Sequence, residues 1–399
     1  MIAEFNLTTD QLVSMVKHFS NDLDDGFTQK AQDIQCLPTY LGFNNEAYSG
    51  QIYVVDLGGS NLRAARAFIE EGRVELMTDV FEYEMPWQRG TEFSKKQYLA
   101  AIANIIAKVS IDAAIPLGFC FSYPCESLPS GDAILSRWTK GIYVNDTEQC
   151  SVTHDLVACL RDEYQIEINA VQVINDTVAS LLAGCTANKH EGYIGLIAGT
   201  GFNISALVAT KAITKISDAQ SSLMPVNFEC GNFKPDFLTK YDRKIDQQSE
   251  QPNQQLLEKV AGSLYLSRVF ALVYPESGIN PQAGAKALVE IMSRFDDAHQ
   301  YHQLAVQLYK RSALFTGMAL TATCLKLHET QAVDQVKIVA EGALFWSSTP
   351  ATLSYKKLVE TTIDNLLQVM QYDIKVEIVK VENANMIGLA HAFLPLEAD

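Results

Sequence analysis

Several familiar chemistries are excluded by what the chain lacks. Its eight cysteines are scattered and form no C-x-x-C pair, so neither a zinc knuckle nor a dithiol redox motif is available. There is no G-x-x-x-x-G-K-[ST], and "GTGFNI" lacks the third glycine of a dinucleotide fingerprint, which removes P-loop and Rossmann readings. No H-E-x-x-H and no G-x-S-x-G occur, and the seven histidines are dispersed, so metalloprotease, metal-cluster and serine-hydrolase readings fall with them. A formal charge of −16 leaves no basic face for nucleic acid. The first thirty residues carry acids throughout and lack the apolar centre of a signal peptide, and the uncharged run 192–210 is interrupted by glycines, Thr200 and Asn203. A cytoplasmic protein with reduced thiols, without membrane or nucleic-acid partners, is the expectation.

What is present is an alternating α/β pattern in a chain of 399 residues, long enough for two domains. Thr8-Thr9-Asp10 reads as the cap of an amphipathic first helix. Strands are predicted at "IYVVD", "RAARAFI", "RVELMTDVFEY", "PLGFCFSY" and "IEINAVQVIND", and again at "GYIGLIA", "ISALVA", "VKIVAEG" and "YDIKVEIVKV". Helices are predicted at 94–109, 177–187, 253–274, 301–329 and 353–370, with a short closing helix near 386–394. The polar stretch "KIDQQSEQPNQQ" (244–255) reads as a surface loop.

Two units stand out, "VVDLGGSNLRAARA" and "LIAGTGFNISALVA": a strand, a bare polar turn and a returning strand. They form a weak internal pseudo-repeat, and two such turns facing each other across a cleft are suited to the ends of a triphosphate, since backbone N–H groups close on phosphate where no Cβ intervenes. Short polar insertions stand in otherwise apolar surroundings elsewhere: Ser122, Thr139-Lys140, Asn175-Asp176, Asn203, Glu229 and Glu258. Each has a plain reading as cap or surface residue. Together they have the donor and acceptor mixture that a polyhydroxylated ligand requires.

In order along the chain, "DLGGSNLR", "GFCFSYPC…RWTKGI", "VINDTVASLLAG", "GLIAGTGFN", "NFECGNF" and the stretch reaching Glu258 resemble the motifs of eukaryotic-type hexokinases, within the actin-like ATPase superfamily. The resemblance implies an α/β, two-lobed actin-like (ribonuclease H-like) fold with a sugar cleft between a small and a large domain. Residues 1–49 and 175–384 would form the large domain, 50–174 the small one, and 385–399 a helix returning toward the small domain. It implies ATP-dependent phosphorylation of a hexose, glucose first, at the 6-hydroxyl. Mannose, fructose or an aminohexose would meet the same side chains. Asp176 would be the general base and Lys140 would offset charge on the moving phosphoryl group. Ser122, Thr139, Asn175, Asn203, Glu229 and Glu258 would ring the sugar. Asp56 would hold Mg²⁺ through water, with Gly58, Gly59, Ser60, Asn61 and Arg63 around the phosphates and Gly199, Thr200 and Gly201 facing them. Gly342, Ala343 and Gly388 would serve the nucleotide. The match departs at "VAEGALFWS", where Glu341 and Ala343 stand for the family's aspartate and hydroxyl residue, and at "ENANMIGLAHAF", which keeps Gly388 and little else of the adenosine segment. A second class, a hexose-binding sensor with weak or no turnover, follows from these departures.

Overall fold

The computed structural model describes residues 2–28, 33–41, 47–58, 61–84, 92–139, 142–185, 190–216, 222–349 and 353–395. Gly59, Ser60 and Lys140 lie outside the described residues. The fold is built on two sheets of the same topology. In the first, the strands run in the order Ile168–Ile174, Ile115–Phe121, Gly50–Leu57, Asn61–Glu70, Arg73–Leu76. In the second the order is Lys375–Val379, Gln335–Glu341, Glu191–Ala198, Phe202–Ala209, Leu223–Asn227, with the Leu37–Pro38 pair added at the edge. Each sheet thus opens with an antiparallel hairpin whose first strand pairs in parallel with the fourth. The pseudo-repeat expected from the two glycine turns is a repeat of whole sheets.

The central strands of the first sheet are covered on both faces: Ile115–Phe121 is buried throughout, and Gly50–Leu57 from Ile52 onward, whereas the edge strand Ile168–Ile174 is exposed near its start. One face of the first sheet packs on the helices Lys95–Ala107 and His154–Tyr164 around Ile102, Ile106, Leu156 and Leu160. Its other face packs on the helices Asp176–Gly184 and Ala384–His391, around Val54, Ala65, Val178, Leu389 and Ala390. The second sheet carries the larger core, shared with the first helix, Thr9–Phe27, and with the long helix Gln300–Gln331. Each of the two central helices follows the fifth strand of one sheet, so they are equivalent by topology, and they cross with almost nothing between them. A Cβ on Gly388 would lie 1.8 Å from the carbonyl oxygen of Ala179. On the other side, a Cβ on Gly195 would lie 2.2 Å from the carbonyl oxygen of Thr177. The Asp176 helix is therefore wedged between the two halves of the molecule.

The first helix begins as its sequence suggests, with Thr8 and Gln11 forming a reciprocal cap. Two predicted elements divide. The strand expected over 73–83 is two segments, Arg73–Leu76 and Phe81–Glu84, both pairing with Asn61–Glu70. Between them the Thr78 hydroxyl replaces a ladder carbonyl and accepts the Arg66 N–H at 3.0 Å. The helix expected over 253–274 breaks at Gly262 into Leu256–Ala261 and Ser263–Val273. The break frees the N–H groups of Ser263 and Leu264 to donate to the carbonyls of Gly199 and Thr200 at 2.9 and 3.4 Å, fastening the second glycine turn. The polar stretch 244–255 is not all loop: the helix Lys240–Gln247 takes in its first residues. Among the described residues no helix is long and apolar enough to cross a membrane.

Two outcomes follow from this packing. Gly388→Ala should lower the unfolding free energy by about 1–3 kcal/mol in urea denaturation, because the methyl group must push the two helices apart. His391, whose Nδ1–H donates to the Leu182 carbonyl at 2.7 Å, has its pKa lowered by burial, although that bond opposes the shift. The unfolded chain takes up a proton near pH ~6.5 while the folded protein resists it, so stability falls as pH drops through that value. The urea midpoint of the parent should fall between about pH 7.5 and 5.5 by more than that of His391→Gln.

Candidate active site

The parallel strands of both sheets deliver their carboxyl ends to one region. Asp56 ends Gly50–Leu57, Ser122 follows Ile115–Phe121, and Asn175 and Asp176 follow Ile168–Ile174. From the other sheet, Gly199–Gly201 follow Glu191–Ala198, and Glu341 ends Gln335–Glu341. Strand carboxyl ends are where open α/β sheets place their ligands.

Asn175 caps the central helix, its Oδ1 accepting the Thr177 N–H at 3.0 Å and the Thr177 hydroxyl. From there a polar chain runs through the site. Asn203 Nδ2 donates to Thr177 Oγ1 at 2.9 Å and to Asn227 Oδ1 at 2.8 Å. Asn227 Nδ2 in turn donates to Glu229 Oε1 at 2.8 Å. Thr177 is fully buried and Asn227 nearly so, and a buried amide needs such partners. Asn175, Asn203 and Glu229 are thus joined through two residues that sequence reasoning missed, Thr177 and Asn227. The signal for Asn227 was present, since "PVNFE" puts a second polar residue at a strand end two positions before Glu229. Glu229 itself sits in the left-handed region at φ 52°, a conformation costly for a residue with a Cβ.

Glu258 lies against the second glycine turn. Its Oε2 accepts the Phe202 N–H at 3.1 Å, and a Cβ on Gly201 would come within 2.6 Å of that oxygen. Gly199 faces Gly342, whose φ of +112° and 2.3 Å approach of an added Cβ to the Ala198 carbonyl demand glycine. Ala343 is beside it. Thr139 follows Trp138, which is held by Thr147 and stacked edge-on against Tyr98, Phe121 and Tyr123. Asn61 turns instead to Glu82 on the neighbouring edge segment, to which its amide donates. Gly388 lies on the Ala179 backbone, and helix packing accounts for it.

Asp56 is the best-defined carboxylate of the site. It is 3% exposed, and its Oδ2 accepts from Arg63 Nε at 3.1 Å, from Arg63 Nη2 and from Asn385 Nδ2 at 3.2 Å. Its Oδ1 is buried and has no hydrogen-bond partner among the described residues. A buried carboxylate oxygen lacking a donor is what a metal-bound water satisfies, and Mg²⁺ keeps most of its waters, so the residues present fit that ion. The surroundings report how closely the carboxylates gather. Burial first, then Asp56 and Asp176, push the Cys120 thiol well up. Burial raises Glu341, Lys380 and Arg63 oppose the shift, and Asp56 adds to it, so the strand ends of the two sheets face one another electrostatically. Burial and then Glu229 raise Cys125, in the first half of the molecule, to about 12.

Two sheets of one topology, with their carboxyl ends converging on a polar cleft, define a two-lobed protein of the actin-like ATPase, ribonuclease H-like class. Family models described as hexokinase match residues 1–186 and 193–277. Hexokinase-1 of Saccharomyces cerevisiae is 31% identical over 293 residues, 68% of this chain and 59% of its own length. The hexokinase of Kluyveromyces lactis is 31% identical over 290 residues, 67% of this chain and 58% of its own. The matched region thus spans under two thirds of the length of these relatives. The structure of a hexokinase from Schistosoma mansoni complexed with glucose superimposes with a TM-score of 0.81 at 19% identity, covering 98% of this chain and 96% of that one, a likeness of fold. The chain belongs to the hexokinase family.

The Asp56–Arg63 pair gives a test of the site's electrostatics. Arg63→Ala leaves a nearly inaccessible carboxylate without its cation and should cost about 3 kcal/mol of stability in urea denaturation. Adding Asp56→Asn to that variant should recover most of the loss, because the buried charge is then gone.

Proposed function

We propose that this protein transfers the γ-phosphoryl group of ATP to the 6-hydroxyl of a hexose, glucose being the first acceptor. The observation that carries the reading is the polar chain from Asn175 through Thr177, Asn203 and Asn227 to Glu229, which starts at a strand end of the same sheet that carries Asp56 and Arg63. One side offers fixed amides and carboxylates suited to sugar hydroxyls, the other a carboxylate and bare turns suited to a metal-bound polyphosphate. Residues 50–174 would act as the smaller lobe and 175–384, with 1–49, as the larger, with 385–399 returning between them.

In this reading Asp176 accepts the proton of the attacking hydroxyl. Its place at a helix N-terminus favours negative charge there. Glu229, Glu258, Asn175 and Asn203 orient the sugar ring, with Ser122 and Thr139 closing on it from the smaller lobe. Lys140 balances charge on the group in transfer. Gly59, Ser60, Thr200 and Gly201 would give backbone donors to phosphate oxygens, while the N–H groups of Gly58 and Gly199 close their turns on the carbonyls of Asn61 and Gly201 and Arg63 keeps the Asp56 carboxylate oriented. Asp56 would hold Mg²⁺ through water, and the ion would supply positive charge to the phosphates. Water competes with the sugar hydroxyl, so approach of the lobes over the sugar precedes transfer.

The deciding experiment is Mg·ATP-dependent formation of hexose 6-phosphate from glucose, with Asp176→Ala beside the parent. A drop in kcat of about 10²- to 10⁴-fold with glucose binding retained supports Asp176 as the base. Glucose binding without product in the parent would replace the enzyme with a hexose sensor.

A further inference from the structure

The glutamine-rich stretch 244–255 has no part in the reaction above, yet it is held as firmly as a core element. Lys259, 5% exposed, donates to Asp246 Oδ1 at 2.6 Å and to the Gln251 carbonyl at 2.8 Å. Both oxygens of Asp246 accept the Asn253 N–H at 3.0 Å. Downstream, the Gln255 N–H donates to Asn232 Oδ1 at 3.3 Å and the Leu257 N–H to the Phe233 carbonyl at 3.0 Å, tying the loop to the turn that carries Glu229. A buried ion pair contributes little net stability against an apolar equivalent, but it fixes geometry, and the geometry here is unusual. Asn253 and Gln255 are both left-handed, at φ 64° and 55°. Strained backbone braced by a buried pair indicates a loop shaped for a purpose.

What the loop presents is a pair of amide oxygens to the other lobe. Arg137 Nη2 reaches Gln251 Oε1 and Gln254 Oε1, each at 3.3 Å. Arg137 immediately precedes Trp138 and Thr139, so its backbone is that of the sugar-facing segment. The bonds are long, and their acceptors are neutral. Such contacts make and break readily, whereas a carboxylate in place of either amide would hold the lobes shut.

We propose that Arg137 and the 248–255 loop form a latch that joins the two lobes on the sugar side and positions the Trp138–Thr139 segment over the hexose. Arg137 is a positioning residue: it acts through Thr139 on one side and through the Glu229 turn and the Glu258 helix on the other. The latch rests on the reading of this cleft as a hexose site, and it predicts a KM effect rather than a chemical one. Opening it weakens sugar capture, while the base and the phosphate side are untouched.

The test compares the parent, Arg137→Ala, Gln251→Ala/Gln254→Ala, and the triple variant, with glucose affinity read by tryptophan fluorescence and by KM. Arg137→Ala should weaken glucose binding and raise its KM by about five- to tenfold, with kcat changed less than about twofold. The glutamine double variant should do the same, and the triple variant should be no worse than Arg137→Ala, since all remove one contact. Gln254→Glu should tighten binding in the parent and have no effect beside Arg137→Ala. Unchanged affinity in Arg137→Ala, additive losses in the triple variant, or a loss confined to kcat would overturn the latch while leaving the hexose reading intact. If the parent neither binds nor phosphorylates glucose, that reading fails and small-angle scattering decides the latch alone. A larger radius of gyration in Arg137→Ala than in the parent supports it, and equal values overturn it.

Discussion

The Asp176 helix sets the geometry of this molecule. It is gripped from both sides at hydrogen-atom distance, by Gly388 from the returning helix and by Gly195 from the second sheet. Because two helices of equivalent topological position cross there, the two sheets are held with their carboxyl ends directed into a common space. Every candidate residue that the structure brings together depends on that crossing. Asn175 and Asp176 stand at the start of the gripped helix, Thr177 forms the first link of the polar chain, and Ser180 touches Asn385, which in turn touches Asp56. A shift of the crossing would be felt at the Asn175–Glu229 chain and at Asp56 together.

The charge pattern follows from the same convergence. Asp56, Asp176 and Glu341 come from three strand ends of a chain already carrying −16; Asp56 and Asp176 both act on the Cys120 thiol, and Asp56 and Arg63 both act on Glu341. Carboxylates gathered in this way repel a polyphosphate unless cations stand between. In the proposed reaction that positive charge would come from Arg63, from Lys140 and from an Mg²⁺ ion that Asp56 would hold through water. The sugar side has the opposite requirement. In the proposed reading its side chains are amides, hydroxyls and carboxylates, and the chain of bonds from Asn175 to Glu229 fixes the directions of Asn203, Asn227 and Glu229.

Much of this was legible in the sequence, because hairpins and glycine turns leave a local imprint. "VVDLGGSNLRAARA" and "LIAGTGFNISALVA" each specify a strand, a turn and a strand within fourteen residues. What was not legible depends on separation. The break at Gly262 answers to carbonyls of Gly199 and Thr200, sixty residues earlier, and periodicity across 253–274 carries no trace of them. The strand over 73–83 divides because Thr78 finds a backbone N–H on another strand. Asn227 is polar at a strand end, but its value comes from Asn203 and Glu229 on either side of it. The loop 244–255 reads as solvent-exposed from composition, since nothing local shows that Lys259 is buried against Asp246.

The departures near the C-terminus have a physical explanation that changes their weight. Beyond residue 277 the family models no longer match, yet the second sheet continues with Gln335–Glu341, Lys375–Val379 and the closing helix in the same order as the first. Two glycines survive there from the nucleotide motifs, Gly342 and Gly388, and each has a packing reason to be glycine. Gly342 takes a positive φ against the Ala198 carbonyl, and Gly388 lies on Ala179. Side chains free of such constraints have changed: Glu341 and Ala343 stand where the family has an aspartate and a hydroxyl. Retention in this segment therefore follows the fold, and the case for a phosphoryl donor rests on the first hairpin. There Asp56 keeps a buried oxygen with no hydrogen-bond partner among the described residues.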